Sequence, residues 1–238
     1  MPPTDAIERA LVITAHPDDV DFGAAGTVAA WTDQGIEVAY CVVTDGDAGG
    51  FDPSIPRSEI PGIRRAEQQA AAKVVGVEQV FFLGYPDGRL YPTIELRRDL
   101  SRVIRQFRPQ RVLCQSAERL LDRIYASHPD HLAAGEAALC AVYPDARNPF
   151  AFPELMAEGL DAHTVPEVWV MAGPGQDRFV DITDTIERKL TALLQHVSQL
   201  VNPDALRDRL YQWAEANATT AGWEKGRLAE GFQFVSTA

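Results

Sequence analysis

Short apolar runs that alternate with longer amphipathic stretches constrain the fold of this chain most. The runs are Leu11–Ala15, Glu37–Thr44, Gln79–Gly84, Arg111–Gln115, Glu167–Ala172 and Phe179–Ile182. Helical spacing of apolar residues covers roughly residues 23–34, 58–75, 93–107, 131–142, 184–200 and 203–217. Strands that are apolar almost throughout, and that alternate with helices, are typical of a parallel sheet covered on both faces. The sequence therefore predicts an α/β, Rossmann-like three-layer αβα sandwich with a mainly parallel sheet.

Length and composition indicate one soluble domain over residues 1–238. Hydrophobic residues make up 46% and charged residues 24%, which is the balance of a globular protein. The net charge of −12 argues against nucleic acid as a partner. The opening MPPTDAIERA lacks the basic and apolar regions of a signal peptide, and no apolar run is long enough for a membrane span. We therefore expect a cytoplasmic protein without a membrane span.

Polar residues follow the predicted strands at the points where they end. His16-Pro17-Asp18-Asp19 follows the first strand, Thr44–Asp47 the second and Gly84–Gly88 the third. Downstream of the fourth lies His128-Pro129-Asp130-His131, which opens a helix. Ligands of such folds bind outside the carboxyl ends of the strands, so two His/Asp clusters converge on one edge. Either motif alone could be a proline turn with a helix cap, but their joint position favours a functional site.

The chemistry of these residues indicates a mononuclear hydrolytic metal site. His16 and Asp19 are three residues apart and can share one side of a turn that enters a helix, and His131 could supply a third ligand. Two imidazoles and a carboxylate suit Zn²⁺ or Fe²⁺ and leave a coordination position for water. Asp18 could then act as the general base. His128, oriented by Asp130, could stabilise the oxyanion and protonate the leaving amine.

A family resemblance rests on segments spread over nearly the whole chain. They are Ala15–Asp19 with Gly23 and Gly26-Thr27, Thr44–Gly49, Arg64–Glu67, Pro86–Gly88, His128–His131, His196–Gln199 and Glu230–Phe232. With them the sequence resembles the PIG-L/LmbE-like family of metal-dependent N-deacetylases. That family includes N-acetylglucosaminyl-phosphatidylinositol deacetylase and the sugar deacetylases of the mycothiol and bacillithiol pathways.

The resemblance carries roles over to matching positions. It implies metal ligands at His16, Asp19 and His131, a general base at Asp18, a second catalytic group at His128 paired with Asp130, and sugar contacts at Arg64 and Asp87. The chain departs from many members in having Val20-Asp21 after the two aspartates, where those members have Glu. Some relatives have Tyr where Ala126 stands here, and whether the preceding Tyr125 helps to stabilise the oxyanion is left open.

These features predict a metal-dependent hydrolase that removes an N-acetyl group from an amino sugar or sugar conjugate, with metal-bound water as nucleophile. The expected cofactor is Zn²⁺, with Fe²⁺ or another divalent metal as alternatives, and the resemblance implies a homo-oligomer. One alternative is a metal-dependent amidase acting on another amide, in a thiol conjugate or a natural-product precursor. A second alternative is a non-catalytic module that binds a sugar or nucleotide.

The residues that select the aglycone are expected in two segments without a readable motif. The first is the Gly- and Pro-rich loop at 46–62, because such loops often border active sites. The second is the segment at 143–165, where Arg147, Phe150 and Phe152 are candidates for lining a cleft.

Overall fold

The computed structural model describes residues 7–237 and places a seven-stranded sheet between layers of helices. The strands are β1 (Arg9–Thr14), β2 (Glu37–Thr44), β3 (Gln79–Tyr85), β4 (Arg111–Gln115), β5 (Glu167–Met171), β6 (Arg178–Asp181) and β7 (Ala229–Ser236). The α-helices are α1 (Asp19–Asp33), α2 (Ile60–Val74), α3 (Ile94–Phe107), α4 (Pro129–Cys140), α5 (Pro153–Ala157), α6 (Ile186–Leu193) and α7 (Asp204–Thr220). Short 3₁₀ segments lie at Leu121–Ser127 and Val197–Gln199, and a π-turn lies at Ala141–Asp145. None of these helices, within residues 7–237, is long and apolar enough to cross a membrane.

The strand order fixes where a ligand can bind. The order is β3-β2-β1-β4-β5-β7-β6, in which β1 to β5 are parallel and β7 runs antiparallel to both its neighbours. The chain builds outward from β1 to β3 and then returns to add β4 on the other side of β1. The order therefore reverses between β1 and β4, and the crevice outside their carboxyl ends is the usual ligand site of such a sheet.

The apolar strands produce a core on each face of the sheet. In β1, Leu11 and Ile13 are fully buried on the face that packs against α3 and α4. Ala10 and Val12 are fully buried on the opposite face, against α1. Successive side chains of a strand point to opposite faces, so a central strand needs apolar residues at every position. The predicted three-layer sandwich with a mainly parallel sheet is confirmed.

Several elements differ from the prediction. Both α1 and α4 begin earlier than their apolar spacing indicated, at Asp19 and Pro129, so each His/Asp motif lies at a helix start. The helix predicted over 184–200 ends at Leu193. Helix α5 and strand β7 were missed, because α5 has only five residues and the apolar run of β7 is interrupted by Glu230 and Gly231.

Candidate metal centre and active site

The crevice outside the carboxyl ends of β1 and β4, the switch point of the strand order, brings together His16, Asp19 and His131. His16 follows β1, Asp19 begins α1 and His131 lies in the first turn of α4. The Asp19 carboxylate bridges the two imidazoles, with Oδ2 at 3.3 Å from His16 Nδ1 and Oδ1 at 3.0 Å from His131 Nε2. The structure therefore brings together the three residues predicted as ligands.

A third imidazole, that of His128, completes a cluster of rings. Its centroid lies 5.0 Å from that of His16 and 5.4 Å from that of His131. One nitrogen from each of these three histidines lies within 4.8 Å of the others, and the same holds for one atom each of His16, Asp87 and Asp130. Buried and half-buried imidazole and carboxylate donors at this spacing fit a borderline divalent cation such as Zn²⁺ or Fe²⁺.

Two further carboxylates orient His16 from the side away from Asp19. Asp87 Oδ1 lies 3.1 Å from His16 Nε2, and Asp130 Oδ2 lies 3.2 Å from the same nitrogen. The Asp130 carboxylate is itself held by the backbone N–H groups of Gly88 (2.7 Å) and Leu90 (3.2 Å). A carboxylate behind an imidazole fixes the tautomer and the ring orientation of a metal ligand.

Asp130, the predicted partner of His128, contacts that ring through its backbone N–H, whereas its carboxylate contacts His16. His128 precedes α4 and caps it, since its Nδ1 accepts the backbone N–H of Asp130 at 3.2 Å. This use of His128 as the cap leaves the Asp130 side chain free to contact His16 instead. Because Nδ1 of His128 accepts a hydrogen bond, the proton of the neutral ring is on Nε2.

Asp18 is held in an uncommon backbone conformation beside the ligand cluster. Its φ of 96° lies in the left-handed region, which non-glycine residues rarely adopt. Its N–H donates to Gln68 Oε1 (2.8 Å), and its carboxylate accepts from Arg64 Nη2 (3.0 Å). Arg64 also donates to the carbonyl oxygens of Pro17 (2.5 Å) and Gly46 (3.1 Å). Contacts from α2 therefore fix this turn.

Gln68 belongs to a buried hydrogen-bond network with Asp21 and His196. Gln68 Nε2 donates to Asp21 Oδ2 at 2.8 Å, and His196 Nε2 lies 2.8 Å from the same oxygen. Asp21, Gln68 and His196 are fully buried. Sequence reasoning missed Gln68, although it lies four residues after Arg64 and both are polar residues on the buried face of α2. The His196 ring packs inside the protein against this carboxylate.

The charges of the site depend strongly on burial. Burial raises the pKa of Asp18 to about 6, against the opposing charge of Arg64. Burial also disfavours charge on Asp19, but His131 and His16 hold its pKa well below the usual value. Burial would lower the pKa of His16, yet the charge of Asp19 and the hydrogen bonds of three carboxylates raise it well above the usual value. A site this rich in carboxylates attracts a cation.

Arg64 and Asp87, the predicted sugar contacts, lie on the β2 and β3 side of His16. Arg64 Nη1 is 4.0 Å from Asp87 Oδ2, and both residues are buried. The loop at 46–62 reaches this side, because the N–H of Ala48 donates to Asp87 Oδ2 (3.2 Å) and the N–H of Asp87 donates to Asp47 Oδ1 (2.9 Å). One of the two segments expected near the substrate therefore borders the site.

The other expected segment, residues 143–165, lies at the amino ends of the strands, on the edge of the sheet opposite the ligand cluster. The expectation that this segment borders the substrate was therefore wrong. Arg147 Nη2 donates to the carbonyl oxygen of Thr237 (2.7 Å), beyond the amino end of β5. His163 Nε2 lies 2.7 Å from the carbonyl oxygen of Pro109, just before β4 begins. Besides Gln68, sequence reasoning missed the residues of α7 and β7, which were given no role at the site.

A cavity of about 590 Å³ opens on the other side of the ligand cluster. Two members of the cluster, Asp19 and His131, form one wall of this cavity, and residues of α1, α7 and β7 form much of the rest of its lining. Tyr125 also lines this cavity, and its side chain is exposed. The candidate site therefore has a polar side with Arg64 and Asp87 and a separate large cavity.

The chain is similar to known proteins over the segments that carry both His/Asp motifs. The family described as GlcNAc-PI de-N-acetylase (PIG-L) matches residues 11–142. Diacetylchitobiose deacetylase of Thermococcus kodakarensis is 34% identical over 98% of this chain and 85% of that protein. A probable N-acetyl-alpha-D-glucosaminyl L-malate deacetylase 2 of Bacillus cereus is 30% identical over 90% of this chain and 92% of that protein.

A solved structure shares the fold over almost the whole chain. N,N'-diacetylchitobiose deacetylase from Pyrococcus horikoshii, complexed with its inhibitor MPG, superimposes with a TM-score of 0.89 and 30% sequence identity. The match covers 98% of this chain and 86% of that chain. The likeness therefore includes α7 and β7 as well as the His/Asp motifs.

Proposed function

The chain belongs to the PIG-L family of GlcNAc-PI de-N-acetylases, and we propose that it removes the acetyl group from a small N-acetylglucosamine-containing substrate by metal-dependent hydrolysis. Membership confirms the predicted family and the predicted class of activity, N-deacetylation. One observation carries the proposed reaction. The Asp18 carboxylate lies beside a three-residue ligand set at the switch point, with Arg64 at 3.0 Å to hold it in place.

His16, Asp19 and His131 are the residues that would hold the cation. They offer two imidazoles and one carboxylate, a set that leaves a coordination position open for a reactant. When bound, a divalent cation here supplies Lewis-acid polarisation of the acetyl carbonyl and lowers the pKa of water to about 7. Asp130 and Asp87 orient His16 through its Nε2. Zn²⁺ and Fe²⁺ both suit this donor set.

Asp18 acts as the general base. Its carboxylate accepts a proton from the attacking water and passes it to the amine nitrogen as the C–N bond breaks, which gives acetate and the free amino sugar. With a pKa raised to about 6 by burial, the group is ionised at neutral pH yet basic enough to take the proton. Its backbone N–H and carboxylate are both fixed, so it needs little reorganisation to act.

His128 stabilises the oxyanion that develops on the acetyl oxygen. Its Nδ1 is occupied by the N–H of Asp130, so Nε2–H is the group that can donate. Burial and the charges of His16 and His131 lower its pKa, which keeps the ring neutral and the tautomer fixed. A preorganised donor of this kind stabilises charge only as it forms. Arg64 and Asp87 bind sugar hydroxyls on the other side of the site.

Replacing Asp18 by Asn tests the base directly. Asn has the same shape and tolerates positive φ, so the turn and the ligand set are retained. Using metal-replete enzyme and a panel of N-acetylglucosaminides, we expect free-amine release to fall about 10²–10⁴-fold with unchanged metal content. Asp33→Asn, at the far end of α1 where Asp33 pairs with Arg188, is the matched control and should be unaffected. Near-normal turnover by Asp18→Asn would contradict the assignment.

Finer expectations belong to the same proposal. We propose a cytoplasmic, single-domain enzyme that assembles as a homo-oligomer. Light scattering on purified protein and cell fractionation test these points.

A further inference from the structure

The cavity beside the ligand cluster is large and its walls are mainly apolar. Its volume of about 590 Å³ is in the range of pockets that hold drug-sized ligands, far above the needs of one methyl group. Its apolar side chains come from several elements: Phe22, Met171, Ile182, Leu210 and Trp213.

Where β7 forms the wall, the polar side chains form hydrogen bonds inside the protein, whereas the exposed side chains of Arg123, Tyr125 and Arg209 line other parts of the cavity. Lys189 pairs with Glu230, whose carboxylate also accepts two backbone N–H groups of α1. Gln176 and Asn217 donate to backbone carbonyl oxygens of β7. A sugar placed against this part of the wall would leave hydroxyl groups poorly paired, which costs binding free energy. An alkyl chain would gain from the same wall because it needs no hydrogen bonds.

The polar side of the site suits the sugar that carries the amide nitrogen, and the cavity suits the acyl group. Arg64 and Asp87 lie towards β2 and β3, and neither lines the cavity. The cavity instead begins at Asp19 and His131, on the side towards β5 and β7. A planar amide whose carbonyl lies at the ligand cluster, and whose sugar contacts Arg64 and Asp87, directs its acyl group towards this cavity.

We propose that the cavity binds the acyl group of the substrate, so that the enzyme hydrolyses N-acyl amino sugars whose acyl chains are longer than acetyl. This inference rests on the proposed function. The bond that breaks is still the amide C–N bond, and water supplies the hydroxyl of the released fatty acid and the proton of the amine.

The test is a series of glucosamines that carry N-acetyl, N-butanoyl or N-hexanoyl groups, assayed with metal-replete enzyme. Each buried methylene contributes about fourfold to binding, and part of this is lost to chain ordering. We expect kcat/KM for the N-hexanoyl substrate to exceed that for the N-acetyl substrate at least about tenfold. A parallel series of methyl, hexyl and octyl N-acetylglucosaminides measures the effect of apolar aglycones.

Two alanines of α7 provide a matched pair of variants. Ala216 is exposed and lines the cavity, whereas Ala205 is exposed on the same helix but lies outside the cavity lining. Ala216→Phe should reduce the N-hexanoyl to N-acetyl ratio about tenfold or more, because the added ring occupies the cavity, and Ala205→Phe should leave the ratio unchanged.

The outcomes distinguish failure of the acyl-cavity inference from failure of the proposed N-deacetylase function. If the enzyme hydrolyses N-acetyl but not N-hexanoyl glucosamine, the inference is overturned and the proposed function stands. If Ala216→Phe changes only the ranking of the aglycone series, the cavity binds the aglycone and the inference is again overturned. If no member of either series is hydrolysed, both proposals fail.

Discussion

Asp18 shows how a single residue can depend on neighbours that do no chemistry. Its left-handed backbone costs roughly 1–3 kcal/mol, a cost that persists only where surrounding contacts impose it. Gln68 supplies one of these contacts by accepting the Asp18 N–H, and Asp21 fixes Gln68 in turn. Gln68 is therefore a positioning residue for the general base.

Gln68→Leu should separate positioning from binding. We expect kcat to fall at least about tenfold because the base is displaced, while KM and metal content change little. Gln69→Leu, an exposed neighbour on α2, is the control for general effects on the helix. Steady-state kinetics with metal analysis measure both. A Gln68→Leu enzyme with normal kcat, or one that loses its metal, would show that Gln68 does not act through Asp18.

Sequence reasoning predicted which residues meet in the site better than it predicted how they point. His16, Asp19 and His131 could be placed together because parallel strands bring their carboxyl ends to one edge. The partner of Asp130 could not, because it depends on which group caps α4, and His128 takes that role through a ring nitrogen. Gln68 was missed because a buried amide has no motif of its own.

At the scale of elements, α4 carries His131 and must approach β4 closely for that residue to reach the site. Gly135, one turn after His131, makes this approach possible. A Cβ on Gly135 would lie 2.4 Å from the carbonyl oxygen of Gln115 and 2.9 Å from the carbonyl carbon of Ser116. Since both are backbone atoms, the helix would have to shift.

Gly135→Ala should therefore lower stability and weaken metal binding together. We expect a loss of about 1–3 kcal/mol of unfolding free energy, together with weaker metal affinity because His131 shifts with the helix. Gly62→Ala in α2 is the matched control, since nothing lies within 4 Å of its added Cβ. That variant should gain about 0.5–1 kcal/mol, because alanine favours helix. Urea unfolding and metal titration test both, and equal effects of the two variants would contradict the packing argument.

The same scale explains why α7 and β7 were given no role. Their sequences carry no His/Asp motif, and β7 mixes Glu230, Gly231 and Gln233 with its aromatic residues. Yet they form much of the cavity beside the ligand cluster. Residues that shape a cavity are selected by size and packing, which leave a weaker pattern in a single sequence than ligands and bases do.

Across the whole molecule, the ligand set joins the two halves of the sheet. His16 and Asp19 belong to the half that begins with β1, and His131 follows β4 in the other half. A cation bound by all three cross-links these halves, and it also offsets the repulsion among the carboxylates around His16. Metal binding should thus stabilise the fold as well as activate the enzyme.

Removal of the metal by a chelator should lower Tm, and His131→Ala should abolish the difference. A cation at 100 times its Kd adds about 2.7 kcal/mol, which in a chain of this length corresponds to roughly 5–10 °C. His163→Ala should keep the full shift, because the His163 ring contacts the turn before β4, at the amino ends of the strands and away from the ligand set. Scanning calorimetry of stripped enzyme with added Zn²⁺ or Fe²⁺ measures the shift and ranks the metals. If His131→Ala retained it, the ligands would instead be His16, Asp87 and Asp130, the other group whose donor atoms lie close enough together. In that arrangement the cation would lie on the Arg64 side, away from the cavity wall formed by His131.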